Sequence, residues 1–377
     1  MAVEAPEGVR IPVWLDVDTG HDDAYALLLA AHDSRTELLG VSTVHGNAPL
    51  EQTTYNTRSI LEALGRRDVR VHPGSAKPTS RSAVHAADIH GVSGLDGVTL
   101  LPEPVQPAIE DVSFLDAMYH ALATTPANTA WLISTGTLTN IGLLFQKYPY
   151  LAVHIKGLSI MGGAIGGGFT DAPMGKVKGE GERFGNLTAF AEFNIYCDPE
   201  AAQSIFTNPI LAPKTTLIPL DVTHQVLGTA EVRHGLLYGY DPRASIVTKD
   251  DSHDTQGAVT SGAKPSPVFA LTSGPPLHDP LAVAAAIEPE TFNDVGGERF
   301  LVDIVTKGVH AADKASVGEL GRTKVTKLPM GQPGVRIPRG LDVTRFWYLT
   351  ELALRSADAT TPMAEVSWGK LREGGVV

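Results

Sequence analysis

Apolar positions along the chain fall into short runs rich in β-branched residues, each followed by a stretch whose apolar positions recur every three or four residues. "VWLDV" precedes a helical pattern over 22–32, "LLGVSTV" one over 50–64, and "AWLIST" one over 138–148. "VRVH", "GLSIMGG" and "TTLIPLDV" read as further strands, with helices near 113–125 and 199–206. These strand runs are too apolar to leave one face in water. The alternation therefore predicts one α/β domain over 1–377: a largely parallel, mixed central sheet of Rossmann-like type with helices on both faces. Ligands of such sheets bind at the carboxyl ends of the strands. Two stretches break the alternation, Gly-rich 163–187 and 241–277, which is rich in Ser, Thr, Asp, Pro and Gly; both are candidate lids. The segment 342–357, "DVTRFWYLTELALRSA", reads as an amphipathic helix with a structural or interfacial role.

Composition narrows this picture. The chain of 377 residues is 43% hydrophobic, enough for a sizeable core without covalent staples. Cys197 is the only cysteine, which excludes an intrachain disulfide and a cysteine zinc cage and fits a reducing compartment. The net charge of -12, with no Lys/Arg cluster, argues against nucleic acid and against a membrane surface as partners. The longest apolar runs, such as "LAVAAAI", fall short of the roughly 20 residues that span a bilayer. "MAVEAPEGVR" carries neither a basic nor an apolar leader region, so a cytoplasmic location is expected.

The candidate chemistry begins in "DVDTGHDDAYALLLA" (16–30), where Asp16, Asp18, Asp22 and Asp23 fall within eight positions. Residues i and i+2 of a strand share a face, so Asp16 and Asp18 project together from its end. Thr19-Gly20 turns the chain, and Asp22 and Asp23 open a helix, whose amino terminus favours carboxylates. A lone Asp there reads as a helix cap. Four converging acids repel one another, and protonation or a cation must relieve that. A hard divalent ion with oxygen ligands answers the need. Ca²⁺ suits carboxylates combined with main-chain carbonyls and waters better than Mg²⁺, and no spacing points to zinc. A haloacid-dehalogenase-like, Mg²⁺-dependent phosphatase with Asp16 as nucleophile also starts with Asp-x-Asp after an apolar strand. That motif wants Thr or Val where Gly20 stands.

The same stretch resembles the amino-terminal signature of the inosine/uridine-preferring nucleoside hydrolases. Further segments resemble that family's pattern in order: "VHGNAPL" (44–50), "DIHGVSGLDG" (88–97), "ISTGTLTNIGLLF" (133–145), "IMGG" (160–163), "GNLTAFAEFNIYCDPEAA" (185–202) and "LHDPLAVA" (277–284). The resemblance covers about 12–290. It implies a Ca²⁺-dependent hydrolase that splits the N-glycosidic bond of ribonucleosides into free base and ribose, serving salvage. It further implies Asp18, Asp23, the Thr135 carbonyl and Asp279 as ligands of the ion, Asp18 as the general base for the water the ion holds, and His278 as the acid protonating the leaving base. Asp22 and Asn47 resemble residues that bind the ribose and orient the water, and Asn186, Glu192 and Asn194 the group gripping the 5′- and 3′-hydroxyls. Read as a strand, "EFN" would put Glu192 and Asn194 on one face and Phe193 in the core. Met161 is expected as a wall of the sugar pocket, His90 as a base-side residue, and Asp16 as a support of the turn. Tyr238 and Tyr240 are candidates to cover the base. Inosine, uridine or related ribonucleosides are the expected ligands, and a homodimer or homotetramer the expected assembly. Thr19, His21 and both long loops depart from the family's pattern, so base preference stays open. A nucleoside- or ribose-binding protein without turnover is the remaining alternative; it would need a catalytic position replaced, and none of those matched is.

Overall fold

The computed structural model describes residues 10–174, 176–177, 181–238, 273–310 and 318–362. In chain order the first half runs β1 (Ile11–Val17), α1 (Asp23–His32), β2 (Thr36–Thr43), α2 (Leu50–Ala63), β3 (Val71–Pro73), α3 (Ala87–His90), α4 (Phe114–Ala123), β4 (Trp131–Ser134), α5 (Thr139–Lys147), α6 (Leu151–His154) and β5 (Gly157–Met161). Then come β6 (Lys176–Val177), β7 (Gly181–Glu182), α7 (Phe193–Cys197), α8 (Pro199–Phe206), β8 (Thr215–Ile218), α9 (Leu220–Thr223), α10 (Ala230–Tyr238), α11 (Pro280–Ile287), β9 (Phe292–Asn293), β10 (Phe300–Ile304), β11 (Thr323–Lys327), β12 (Gly340–Leu341) and α12 (Val343–Asp358).

The central sheet has the order β3-β2-β1-β4-β5-β8, and every pairing within it is parallel. The antiparallel pairs β6-β7, β10-β11 and β12-β9 lie outside it as two-stranded ribbons. Alternation along the strands builds two cores. Val13, Leu15, Val17, Ile133 and Ile218 face α1, α2, α11 and α12, while Trp14, Leu132, Leu158 and Leu217 face α4, α5 and α8. All eight residues of α11 are buried, which explains its apolar sequence without any membrane. Among the described residues no helix is long and apolar enough to cross a bilayer. The amphipathic α12 lays Phe346, Trp347, Leu349, Ala353 and Ala357 into the first core beside α1, so this face is structural.

Two expectations about local structure fail. "TTLIPLDV" is not one strand: β8 stops at Ile218 because Pro219 cannot donate to the ladder, and the following residues turn into α9. Glu192 and Asn194 do not share a strand face either. Glu192 caps α7, its side chain accepting the amides of Asn194 and Ile195, and the chain coils there instead of extending. Phe193 is buried as expected, in a small cluster with Ala86 and Cys197 away from the main cores. Of the two long loops, 163–187 is described apart from 175 and 178–180, whereas most of 241–277, and Tyr240 before it, lies outside the described residues; Tyr238 ends α10.

The chain leaves β1 toward β2 and β3 on one side, then returns to β4 on the other. The strand order therefore reverses beside β1, which opens a crevice at the carboxyl ends of β1 and β4.

Candidate active site

Asp18 follows β1 directly and is wholly buried. Its Oδ2 accepts the Asn47 amide at 2.9 Å and its Oδ1 the Asn47 side-chain nitrogen at 3.3 Å. Asn47 enters from the turn after β2 and reaches Asp23 Oδ2 as well, at 3.3 Å. One amide thus spans two carboxylates. Asp23, the first residue of α1, takes the Gly20 amide at 2.8 Å and the Thr135 hydroxyl at 2.7 Å. That side-chain contact from the end of β4 supplements whatever the Thr135 carbonyl does. Asp279 precedes Pro280 at the start of α11, and its carboxyl meets that of Asp23 in a hydrogen bond. Candidate ligand atoms of Asp22, Asp23 and Asp279 all lie within 4.8 Å of one another.

Acids this close and this buried resist ionisation. Burial, then Asp22, raises Asp23 to about 6, with the Gly20 amide and Thr135 opposing. Burial is also the main cause for Asp18, joined by the charges of Asp23, Asp22 and Glu192, and for Asp279, joined by Asp22, Asp23 and Asp18; both are pushed well above the usual carboxylate range. No Lys or Arg pairs with any of the four among the described residues. An all-oxygen donor set with unrelieved negative charge fits a hard divalent cation.

Asp16 sits one layer behind. Its Oδ1 accepts the Ser42 hydroxyl and, at 2.8 Å, the Asn140 side-chain nitrogen, while Oδ2 has no partner among the described residues. Burial pushes this carboxyl up to about 7. Its carboxylate is held by Ser42 and Asn140 and not by the crevice residues, so the structure gives no support to Asp16 as the nucleophile of a phosphatase.

The sugar-side residues gather around β5 and α7. Asn194 donates to the Thr135 carbonyl at 2.7 Å and lies 3.5 Å from Met161 Sδ, which brings Met161 beside it. Glu192 Oε1 accepts the Asn194 amide at 2.8 Å, and Oε2 those of Gly163 and Ile195 at 2.9 and 3.0 Å. Its carboxylate therefore anchors the start of α7 to the Gly-rich loop. Asn186 Oδ1 accepts the Phe193 amide at 2.8 Å and ties the preceding loop to the same helix.

At the other edge, His278 Nδ1 lies 2.7 Å from Thr223 Oγ1, and burial holds the imidazole below its ordinary value, with Asp22 opposing. His90 is likewise lowered by burial, against Asp22 and together with His21 and His278. Its Nδ1 crowds the acid turn: a Cβ on Gly20 would stand 2.5 Å from it and 2.7 Å from Asn47 Nδ2. Nothing in the sequence around Thr223 marks it out, although it stands shortly after β8, at the carboxyl end where ligands of such sheets bind. The same is true of Asp221. Its carboxylate takes the amides of Ile165 and Gly166, both at 2.8 Å, and seats the Gly-rich loop beside the site. The structure thus brings Asp18, Asp22, Asp23, Asn47, Thr135 and Asp279 to one crevice, with Met161, Glu192 and Asn194 on one flank and His90 and His278 on the other.

A profile described as inosine-uridine preferring nucleoside hydrolase matches residues 13–348. Uridine nucleosidase of Saccharomyces cerevisiae is 37% identical over 280 residues, covering 74% of this chain and 76% of the yeast protein. A probable ribonucleoside hydrolase of Dictyostelium discoideum is 33% identical over 355 residues, covering 90% and 93%. Among solved structures, a purine-preferring ribonucleoside hydrolase from Gardnerella vaginalis superposes with a TM-score of 0.69 at 25% identity, covering 93% of this chain and 99% of that one.

Proposed function

The chain belongs to the inosine-uridine preferring nucleoside hydrolases, and from that premise we propose how this hydrolase of N-glycosyl bonds cleaves ribonucleosides such as inosine or uridine into base and ribose. The observation that carries the reading is the crevice of Asp18, Asp22, Asp23 and Asp279, four acids with no basic partner among the described residues.

Asp18, Asp23, Asp279 and the Thr135 carbonyl would hold a divalent cation, Ca²⁺ by the chemistry of the donors; when bound it supplies the charge that acidifies water and fixes ribose hydroxyls. The Thr135 carbonyl has two lone pairs, so it can take part while still accepting from Asn194, which would address the sugar from there. Asp18 takes the proton of the attacking water, oriented by the two hydrogen bonds from Asn47. Asp22, whose side chain caps nothing, is available to ribose hydroxyls. Asn186 and Glu192 support the sugar-side wall and address the remaining hydroxyls. As the base departs, positive charge grows on the sugar ring, and the surrounding carboxylates and amides stabilise it. His278 delivers the proton to the leaving base, with Thr223 setting the ring's orientation through Nδ1.

Purified protein incubated with inosine and with uridine should release reducing sugar, and a chelator should stop the release; no ribose from any common nucleoside would sink the proposal. His278→Ala should impair inosine hydrolysis far more than hydrolysis of a nitrophenyl riboside, whose leaving group needs no proton. Equal losses on both substrates would refute the acid role. Gly46→Ala tests the shape of the cation site, because a Cβ there would stand 1.9 Å from Asp18 Oδ2. Displacing Asp18 should weaken Ca²⁺ binding in calorimetric titration by about 10–100-fold, and unchanged affinity would show that Asp18 is not a ligand.

A further inference from the structure

The Gly-rich stretch that begins at Gly163 lies along α9, and the two are fastened at several points. Gly163 gives its amide to Glu192 Oε2 at 2.9 Å, while its carbonyl accepts the Leu220 amide at 2.9 Å. Two residues on, the Asp221 carboxylate takes the Ile165 amide on Oδ2 and the Gly166 amide on Oδ1, both at 2.8 Å. Gly166 is left-handed, with φ +65°, and a Cβ there would stand 1.9 Å from Phe184 Cδ1, so a side chain would push the stretch off its seat. Gly167 and Gly168 form an exposed tip. Beyond it the chain is fastened again. Arg339 lies 3.8 Å over the Phe169 ring and donates to the Phe169 carbonyl at 2.7 Å. The Thr170 hydroxyl donates to the Asp221 carbonyl at 2.6 Å, and the Pro173 carbonyl lies 2.7 Å from His224 Nδ1.

Asp221 stands at the middle of this contact. It is 1% exposed, and it commits both carboxylate oxygens and its main-chain carbonyl to the loop. Such a carboxylate cannot drift without leaving buried amide donors unpaired, which is costly. Two residues later on the same buried turn, Thr223 Oγ1 lies 2.7 Å from His278 Nδ1. α9 is a single helical turn, closed by the Thr223 amide on the Pro219 carbonyl at 3.1 Å and the His224 amide on the Leu220 carbonyl at 3.0 Å. A turn this short has no length over which to absorb a shift, so what moves Asp221 moves Thr223. At the loop end of the same clamp stands Gly163, whose amide Glu192 holds.

We propose that Asp221 is a positioning residue that joins the two flanks of the crevice, seating Gly163 for Glu192 on the sugar side and Thr223 for His278 on the base side. The inference rests on the roles given to Glu192 and His278 in the proposed function. One clamp then sets both the grip on the sugar and the delivery of the proton. A ribose held by the Glu192 flank presents its base to His278 at a separation that the clamp fixes.

The test uses two variants of the full chain: Asp221→Ala removes both acceptors, and Asp221→Asn keeps the volume and one acceptor. Asp221→Ala should lower kcat/KM for nitrophenyl riboside by about tenfold through the sugar flank, and for inosine by about 100-fold, because proton delivery suffers as well. In a cycle with Thr223→Val the inosine losses should fall short of multiplying, since both changes release the same imidazole. Asp221→Asn should move both substrates in the same directions by less, and it carries the comparison if Asp221→Ala does not fold. A wild-type ratio of the two substrates, a wild-type rate with nitrophenyl riboside, or losses that multiply in the cycle would overturn the inference; a residue that only stabilises the fold lowers Tm and moves none of these. Proton–carbon correlation spectra of histidine-labelled protein, with His278 assigned through His278→Gln, should show its ring signals displaced in Asp221→Ala toward their position in Thr223→Val. Unchanged ring signals would also overturn it. The spectra need no turnover, so a protein that hydrolyses no nucleoside would overturn the proposed function and leave them to judge Asp221 separately.

Discussion

Asp18→Ala is expected to lower kcat for ribonucleoside hydrolysis by about 10²–10⁴-fold, the span of a lost general base. The geometry argues for a large effect because the neighbouring acids are engaged otherwise, Asp22 being the one assigned to ribose hydroxyls in the proposed function. Asp16 is held by Ser42 and Asn140 behind the site, and Glu192 is committed to three main-chain amides. Asp23 and Asp279 already share one hydrogen bond. Asp18→Asn sharpens the experiment: it keeps the shape and an acceptor for the Asn47 amide while removing the proton acceptor. Single-turnover rates for both variants at saturating Ca²⁺ separate lost proton transfer from lost cation. Retention of most activity in Asp18→Asn would show that another group activates the water.

The second large effect concerns stability. Asp16, Asp18, Asp23 and Asp279 all have raised pKa values in the fold, Asp16 about 7 and Asp23 about 6. A carboxyl raised in the folded state holds protons that the unfolded chain has released, so stability falls as pH rises toward the folded value. Buried histidines act in the opposite sense at lower pH. His45 and His224, both lowered to about 4 by burial, cost stability where the unfolded chain takes up protons, below its ordinary histidine range. Above about pH 6.5 histidine is largely neutral in both states, and the acids dominate. The cation-free protein should therefore lose thermal stability between about pH 6.5 and 8, by roughly 1 kcal/mol from Asp16 and Asp23, with Asp18 and Asp279 acting in the same direction. Saturating Ca²⁺ should reduce the decline by the share of Asp18, Asp23 and Asp279, because it stabilises those ionised carboxylates and binds the folded chain alone, while Asp16 behind the site keeps its own share. Calorimetric melts at several pH values, with chelator and with Ca²⁺, check both halves. A decline of equal slope in the two series would show that the acid cluster is not the cation site.

The sheet and most helices were legible because their strands are continuous apolar runs and their helices carry a period of three to four. Legibility failed where one side chain outweighed the pattern. Polar-apolar-polar Glu192-Phe193-Asn194 has the period of a strand, but a carboxylate that satisfies its own following amides starts a helix, and period counting does not see a cap made that way. At 215–222 the apolar run continues past the point where Pro219 ends the strand. Within the site, the local turn 16–23 announced a cation through charge density alone. The late partner Asp279 and the roles of the distant residues came from resemblance, since nothing local links residue 23 to residue 279. Thr223 on His278 and His21 on His90 are contacts across 55 and 69 positions, made by the fold and silent in the sequence.

That span between Asp23 and Asp279 also orders the life of the chain. Three of the four crevice acids are made within the first two dozen residues, whereas the fourth emerges only when more than two thirds of the polypeptide exists. During synthesis the amino-terminal acids wait without their counterpart. The crevice closes only once α11 has docked between the late strands and α1, a contact of very high sequence separation and correspondingly late formation. Capture of the cation proposed above would thereby await α11, which brings the last of the proposed carboxylate ligands.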